Sequence, residues 1–119
     1  MLARAQRLTS SQEFTTVVRR GRRAGSVTLA VHVVRGDGSS VSAPPRVGLV
    51  VGRAVGNAVT RNQVKRRLRH LLRERLSALP EGSLLVVRAL SPAGAASSAQ
   101  LGADLDAALS RALRSKGAA

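Results

Sequence analysis

Residues 46–88 read RVGLVVGRAVGNAVTRNQVKRRLRHLLRERLSALPEGSLLVVR. Three elements are visible in this run. Arg46 to Val51 alternates, with Val47, Leu49 and Val51 on one side, which predicts a strand. Gly52 to Gly56 is a turn region. From Ala58 to about Leu79, the residues Val64, Leu68, Leu71, Leu72, Leu76 and Leu79 fall at helical spacing and form one apolar stripe. Pro80-Glu81-Gly82 stops that helix. Ser83 to Arg88 holds an unbroken apolar run, Leu84 to Val87, which predicts a central strand buried on both faces. Strand, helix and strand in this order make a crossover unit, and the general rule gives such a unit a right-handed connection.

The flanks add further elements. Ser10-Ser11-Gln12-Glu13 has the spacing of a capping box and opens a helix over residues 10–20. Phe14, Val17 and Val18 share its apolar face, and Gly21 can close it. Arg19, Arg20, Arg22 and Arg23 crowd that end. They complement the helix dipole or bind phosphate, and the dipole alone does not need four. Residues 26–34 are β-branched and alternating, with Val27, Leu29, Val31 and Val33 on one side, and predict a strand. Residues 35–45 and 91–96 read as loops. Ser97 and Gln100 offer a second capping box. Leu101, Leu105, Leu109 and Leu113 then mark a last helix, closed by Gly117. Asp104 and Asp106 lie early in it, and Arg111, Arg114 and Lys116 lie late, as the dipole prefers. The order helix, strands, helix, strand, helix predicts an α/β (α+β) sandwich with helices packed on one central sheet, a single domain over residues 1–119.

Composition bounds the function. The 119 residues carry 20 Lys or Arg against 6 Asp or Glu, a net charge of +14. With no Cys, a disulfide framework, a Cys-based zinc site and a thiol nucleophile are excluded. No run of 18 apolar residues is present to span a membrane. The N-terminal residues Met1 to Arg7 lead into polar Thr9-Ser10-Ser11 and not into a secretory signal, so a cytoplasmic address is expected. A cationic surplus of this size calls for a polyanion, and polyphosphate is the commonest answer. Phe14 is the sole Phe, Tyr or Trp. The chain is therefore not a module that reads single strands on a sheet of stacked aromatics.

The basic residues concentrate on the central helix. Between Arg61 and Arg75 seven residues are basic and one, Glu74, is acidic. Asn62, Arg66, Arg69 and Arg73 fall within an arc of about 60° at 100° per residue. Gly56 and Asn57 precede the helix, where free backbone N–H groups attract phosphate. A solvated basic face is the ordinary reading of such a run. It is weakened here because the acids that i, i+4 pairing would need are missing.

The run Val55-x-x-Ala58-x-x-Arg61-Asn62-Gln63-Val64-Lys65-Arg66-x-Leu68-Arg69 resembles the signature of the bacterial ribonuclease P protein subunit family. Arg53, Gly56-Asn57, the strand Val47 to Val51, and Arg7-Leu8 followed by Phe14 fit the same pattern, and the likeness extends from Arg4 to the last helix. The resemblance implies an α-β sandwich with a mixed sheet and an unusual left-handed crossover, which takes precedence over the general rule. It implies that the chain joins a large catalytic RNA, and that the complex removes the 5′ leader of precursor tRNA. The RNA and its Mg²⁺ would perform the hydrolysis, leaving no catalytic residue and no metal site in the protein alone. Arg53, Asn57, Arg61, Asn62, Lys65, Arg66 and Arg69 match the family's RNA-contacting motif, and Arg73 continues the row. Phe14 matches an aromatic beside the leader cleft, where Val18 and Arg7 are also placed. Val18 stands where an aromatic is common, and Gln63 replaces a more usual Arg or Lys. A monomeric protein within the complex is expected.

Other classes fit less well. No nucleophile–His–acid set and no metal spacing is visible, and His32 and His70 read as structural or surface residues. A structural ribosomal-type RNA-binding protein shares the composition and lacks the motif. A helix-turn-helix DNA binder would need a short second helix. A membrane-surface helix would need an apolar face that the core already uses.

Overall fold

The computed structural model describes residues 7–8, 11–35 and 44–114. Three helices and four strands follow in the order α1 (Ser11–Arg20), β1 (Arg22–Gly25), β2 (Leu29–Val34), β3 (Arg46–Val50), α2 (Ala58–Arg75), β4 (Leu84–Ala89) and α3 (Ser98–Arg114). The strands form one mixed sheet in the order β1-β2-β4-β3. β1–β2 and β2–β4 are antiparallel, and β3–β4 is parallel. The predicted crossover unit is thus present, with α2 joining parallel neighbours. β4 is central, and its Leu85, Val86 and Val87 are completely buried, as an unbroken apolar run requires.

Alternation along the strands divides the core in two. Leu29, Val31, Val33, Val47, Leu85 and Val87 face α2 and α3, where they meet Val64, Leu68, Leu72, Leu101, Leu105 and Ala108. Val86 faces the other way, with Val17 of α1, Leu8 and Phe14. The sheet therefore has one helix on one face and two on the other. The leucine stripe of α2 is the face that docks: Val64, Leu68 and Leu72 are at most 1% exposed.

Several expectations need correction. The strand predicted over 26–34 begins only at Leu29, and Val27 lies in a turn, 72% exposed. β1 was not foreseen, because Arg22-Arg23-Ala24-Gly25 carries no β-branched residue and is held only by pairing with β2. Arg22 and Arg23 consequently sit in an edge strand and not at a helix end. α2 gives way to a 3₁₀ turn at Leu76–Ala78 before Pro80, and residues Ser91–Ala95 form another. β3 stops at Val50, although Val51 is still buried. Asp104 and Asp106 are not in the first turn of α3. They are tertiary anchors instead. The Asp104 carboxylate accepts from the Thr28 amide at 3.1 Å and its hydroxyl at 2.5 Å, and Asp106 accepts from Arg75 of α2.

The second capping box is present in full. The Gln100 amide donates to Ser97 Oγ at 3.1 Å, and the Ser97 amide donates to Gln100 Oε1 at 2.8 Å. Gly21 follows α1, and its amide donates to the Val17 carbonyl at 2.7 Å. Ser10, Lys116 and Gly117, assigned to helix ends above, lie outside the described residues, as do Arg4 and residues 36–43 of the long loop.

Candidate nucleic-acid interface

α2 begins where the turn chemistry directs it. Gly56 has φ +152°, a backbone state that side chains disfavour. Asn57 then caps the helix, its side-chain oxygen accepting from the Thr60 amide at 2.9 Å. This leaves the side-chain NH₂ of Asn57 with two donors for a partner. Asn57 and Arg53, in the preceding turn, are both exposed.

With the leucine stripe docked, the basic arc faces outward. Asn62, Lys65, Arg66, Arg69 and His70 line one depression of about 560 Å³ along the helix. Arg73 is exposed one turn further on. Arg61 is less open: its Nε is buried without a partner among the described residues. Two other basic residues of the run are structural. Arg67 donates to the Ala96 carbonyl at 2.8 Å, and Arg75 binds Asp106 at 2.6 Å. Their hydrogen bond raises the pKa of Arg75 and lowers that of Asp106. The side chains of Arg61, Lys65, Arg66, Arg69 and Arg73 make no hydrogen bond or ion pair among the described residues. Unpartnered like charges on one helix face repel one another, so the folded chain presents a surface that an anion would relieve.

Beside this face lies a second feature. Arg7 and Leu8 lie along the edge of β3, with a bridge between Arg7 and Val47 and the Leu8 amide on the Val47 carbonyl at 2.9 Å. Arg7, Leu8, Phe14, Gly48, Lys65 and Arg69 surround a small hollow there. Across the Phe14 ring, a groove of about 330 Å³ opens between α1 and the sheet, lined by Phe14, Thr15, Val18, Arg19, Val50 and Arg88. An ion pair between Glu13 of α1 and Arg46 of β3 ties the two walls. The cleft residues expected from the sequence, Arg7, Phe14 and Val18, are therefore contiguous, and Phe14 borders both spaces. Val50 and Arg88 were missed. They pair in register on the α1 face, and only the strand partners reveal it. The available signal was Arg88 itself, a charge ending an apolar strand.

The two histidines differ. His70 is exposed beside the α2 row, whereas His32 is 3% exposed within the sheet. Burial, and then the charges of Arg88 and Arg23, hold His32 below its ordinary pKa, which favours the neutral ring. No group of three or more His, Cys, Asp or Glu that could hold a metal ion occurs among the described residues. No helix among them is long and apolar enough to cross a membrane.

A layered α/β sandwich with an unpartnered basic face beside an open groove defines a class, the small basic proteins built to bind a polyanion. Comparison then gives the particular family. Residues 2–113 match the family described as Ribonuclease P. The chain is 59% identical to the ribonuclease P protein component of Streptomyces bikiniensis, over 95% of this chain and 96% of that one. It is 58% identical to that of a Nocardioides species, over 93% and 94%. The Staphylococcus aureus RNase P protein shares the fold, with a TM-score of 0.77 at 24% identity, over 90% of this chain and 94% of that one. The chain belongs to the ribonuclease P protein family, whose function is 5′ processing of tRNA as part of an endoribonuclease.

Proposed function

We propose that the α2 row binds the catalytic RNA of ribonuclease P, and that the groove beside Phe14 takes the 5′ leader of precursor tRNA. The observation that carries this reading is the junction of the two surfaces. Lys65 and Arg69 line both the α2 depression and the hollow that Phe14 closes. A structured RNA on α2 and a single strand in the groove would then be held side by side.

Each part has suitable chemistry. Arg66, Arg69, Lys65 and Arg73 supply point charges and guanidinium forks for phosphate, while Arg53, Asn57, Arg61 and Asn62 extend the contact around the helix start. Phe14 offers one stacking face, and Val18 and Val50 give apolar contact without base selectivity. Binding through such a groove should depend little on leader sequence.

The described carboxylates and imidazoles do not build a Mg²⁺ cage. Glu13, Asp104 and Asp106 are engaged in contacts that hold the fold, and Glu74 lies 3.7 Å from its neighbour Arg75. In this reading Mg²⁺ is bound mainly by the RNA partner and substrate, keeping several of its waters. The protein's residues bind, orient and neutralise phosphate, and no step of the hydrolysis is assigned to them. The protein acts as a monomer within a cytoplasmic ribonucleoprotein.

The test is a cleavage assay with purified protein, a bacterial ribonuclease P RNA and a precursor tRNA at low Mg²⁺. Cleavage at the mature 5′ end should require protein and RNA together. Cleavage by the protein alone would refute the division of labour. Tight RNA binding without rescue, repeated with a cognate RNA, would favour a purely structural RNA-binding role.

A further inference from the structure

One cluster of charge is not used by the surfaces above. Arg19, Arg20, Arg22 and Arg23 are all exposed, and none has an acidic partner among the described residues. The strand register sorts them. Arg23 lies opposite His32, and His32 lies opposite Val86, on the α1 face of the sheet. The adjoining row on that face is Gly25, Ala30, Arg88 and Val50. Arg22 lies opposite Val33, on the other face. Arg19 lines the groove with Arg88, Val18 and Phe14.

Arg88 and Arg23 therefore flank the same buried residue. Both charges act on His32, whose two ring nitrogens have no partner among the described residues. Glu13, the acid of α1, is paired with Arg46. Two arginines on strands either side of one buried ring, with no ion-pair partner among the described residues, make a place where an anion gains twice. It binds a cation pair and relieves their mutual repulsion.

We propose that Arg19, Arg88 and Arg23 form a phosphate track that carries the single-stranded leader out of the Phe14 groove, over β2, to the β1 edge of the sheet. This deepens the leader reading above and rests on it. The Arg88 and Arg23 positions are two strand spacings apart across the sheet and one row apart along it, about 12 Å in all. Stacked nucleotides advance about 3.4 Å per phosphate along a helix axis and farther when the strand is extended, so at most about three or four phosphates cover that span. The track reads backbone and not bases, so it adds affinity with leader length and not with leader sequence.

The experiment measures the affinity of the reconstituted holoenzyme for precursor tRNAs whose leaders grow one nucleotide at a time. Arg88→Ala should weaken binding from short leaders onward. Arg23→Ala should leave short leaders unchanged and lose roughly tenfold once the leader reaches the edge strand. Its salt slope should fall by about 0.7 for the lost single-strand contact. Arg23→Lys, which keeps the charge, should restore most of the loss. Arg22→Ala, equal in charge change but on the opposite face, should behave as wild type. Equal loss on tRNA without a leader would place the contact on the tRNA body or the catalytic RNA and overturn the track. Arg23→Ala indistinguishable from Arg22→Ala would overturn it as well. Wild-type affinity independent of leader length would overturn the groove reading and the track together, an outcome distinct from leader dependence that Arg23→Ala fails to move.

Discussion

The ring of Phe14 rests on the backbone of Gly48, so close that a Cβ built at Gly48 would overlap ring atoms Cζ and Cε1. The contact joins α1 to the edge strand β3, and it sets the position of the ring that borders the groove. Gly48→Ala should push Phe14 aside and destabilise the fold by about 1–3 kcal/mol, the usual cost of overpacking. Phe14→Ala should remove the clash, so the double variant should be more stable than the sum of the two single losses predicts. Denaturant midpoints of the four proteins check this, and strict additivity would reject the contact.

Arginines on the same helix should fall into two groups. Arg75→Ala breaks the tie to Asp106 and should lower stability by up to about 1 kcal/mol, as for a partly exposed pair, with RNA affinity kept. Arg66→Ala and Arg69→Ala should do the opposite, weakening RNA binding with an unchanged melting profile. Leu68→Ala, on the completely buried stripe, should cost about 2–5 kcal/mol. Melting curves and RNA titrations on the same four proteins check the division. Loss of folding in Arg66→Ala would contradict the outward placement of the row.

Salt gives an independent measure of the basic surface. If the protein neutralises roughly six to ten phosphates, RNA affinity should fall by about three to five decades between 50 and 200 mM salt. Replacing Lys65, Arg66 and Arg69 together by Ala should flatten the slope of log K against log salt by about 2–3. Filter-binding titrations over that range measure it. A slope that stays unchanged would mean that these side chains remain solvated in the complex.

How much of this was legible in the sequence depends on where each signal originates. β4 and α2 were legible because burial writes its own periodicity: an unbroken run at Leu84 to Val87, and a leucine every third or fourth position. The ribonuclease P motif lay largely on the same helix, and its helical spacing grouped Asn62, Arg66 and Arg69, which line one depression in the structure. The sequence did not separate Arg67 and Arg75 from Arg66 and Arg69, because the first pair is defined by Ala96 and Asp106, 29 and 31 residues away. β1 was silent for a related reason: two arginines, an alanine and a glycine become a strand only when β2 pairs with them. Val50 and Arg88 became groove residues through register, which alternation alone does not supply.

His32 makes stability depend on pH. Buried beside Arg88 and Arg23, its ring is held below the ordinary value of 6.5, so the folded chain takes up this proton only at lower pH than the unfolded chain does. Between those two values the unfolded state binds more protons, and stability rises with pH. As pH falls through 6.5, the fold should therefore lose up to about 1.4 kcal/mol per pH unit from this group, until the folded ring is itself protonated. His32→Gln removes the titration and should flatten the curve of denaturation midpoint against pH between about 5 and 7. A phosphate bound across Arg23 and Arg88 would offset part of the field on the ring. Added phosphate should then reduce the slope in the wild-type protein and leave the His32→Gln protein's slope unchanged. A wild-type midpoint that is level from pH 7 to 5 would show that the ring is not held neutral by its surroundings.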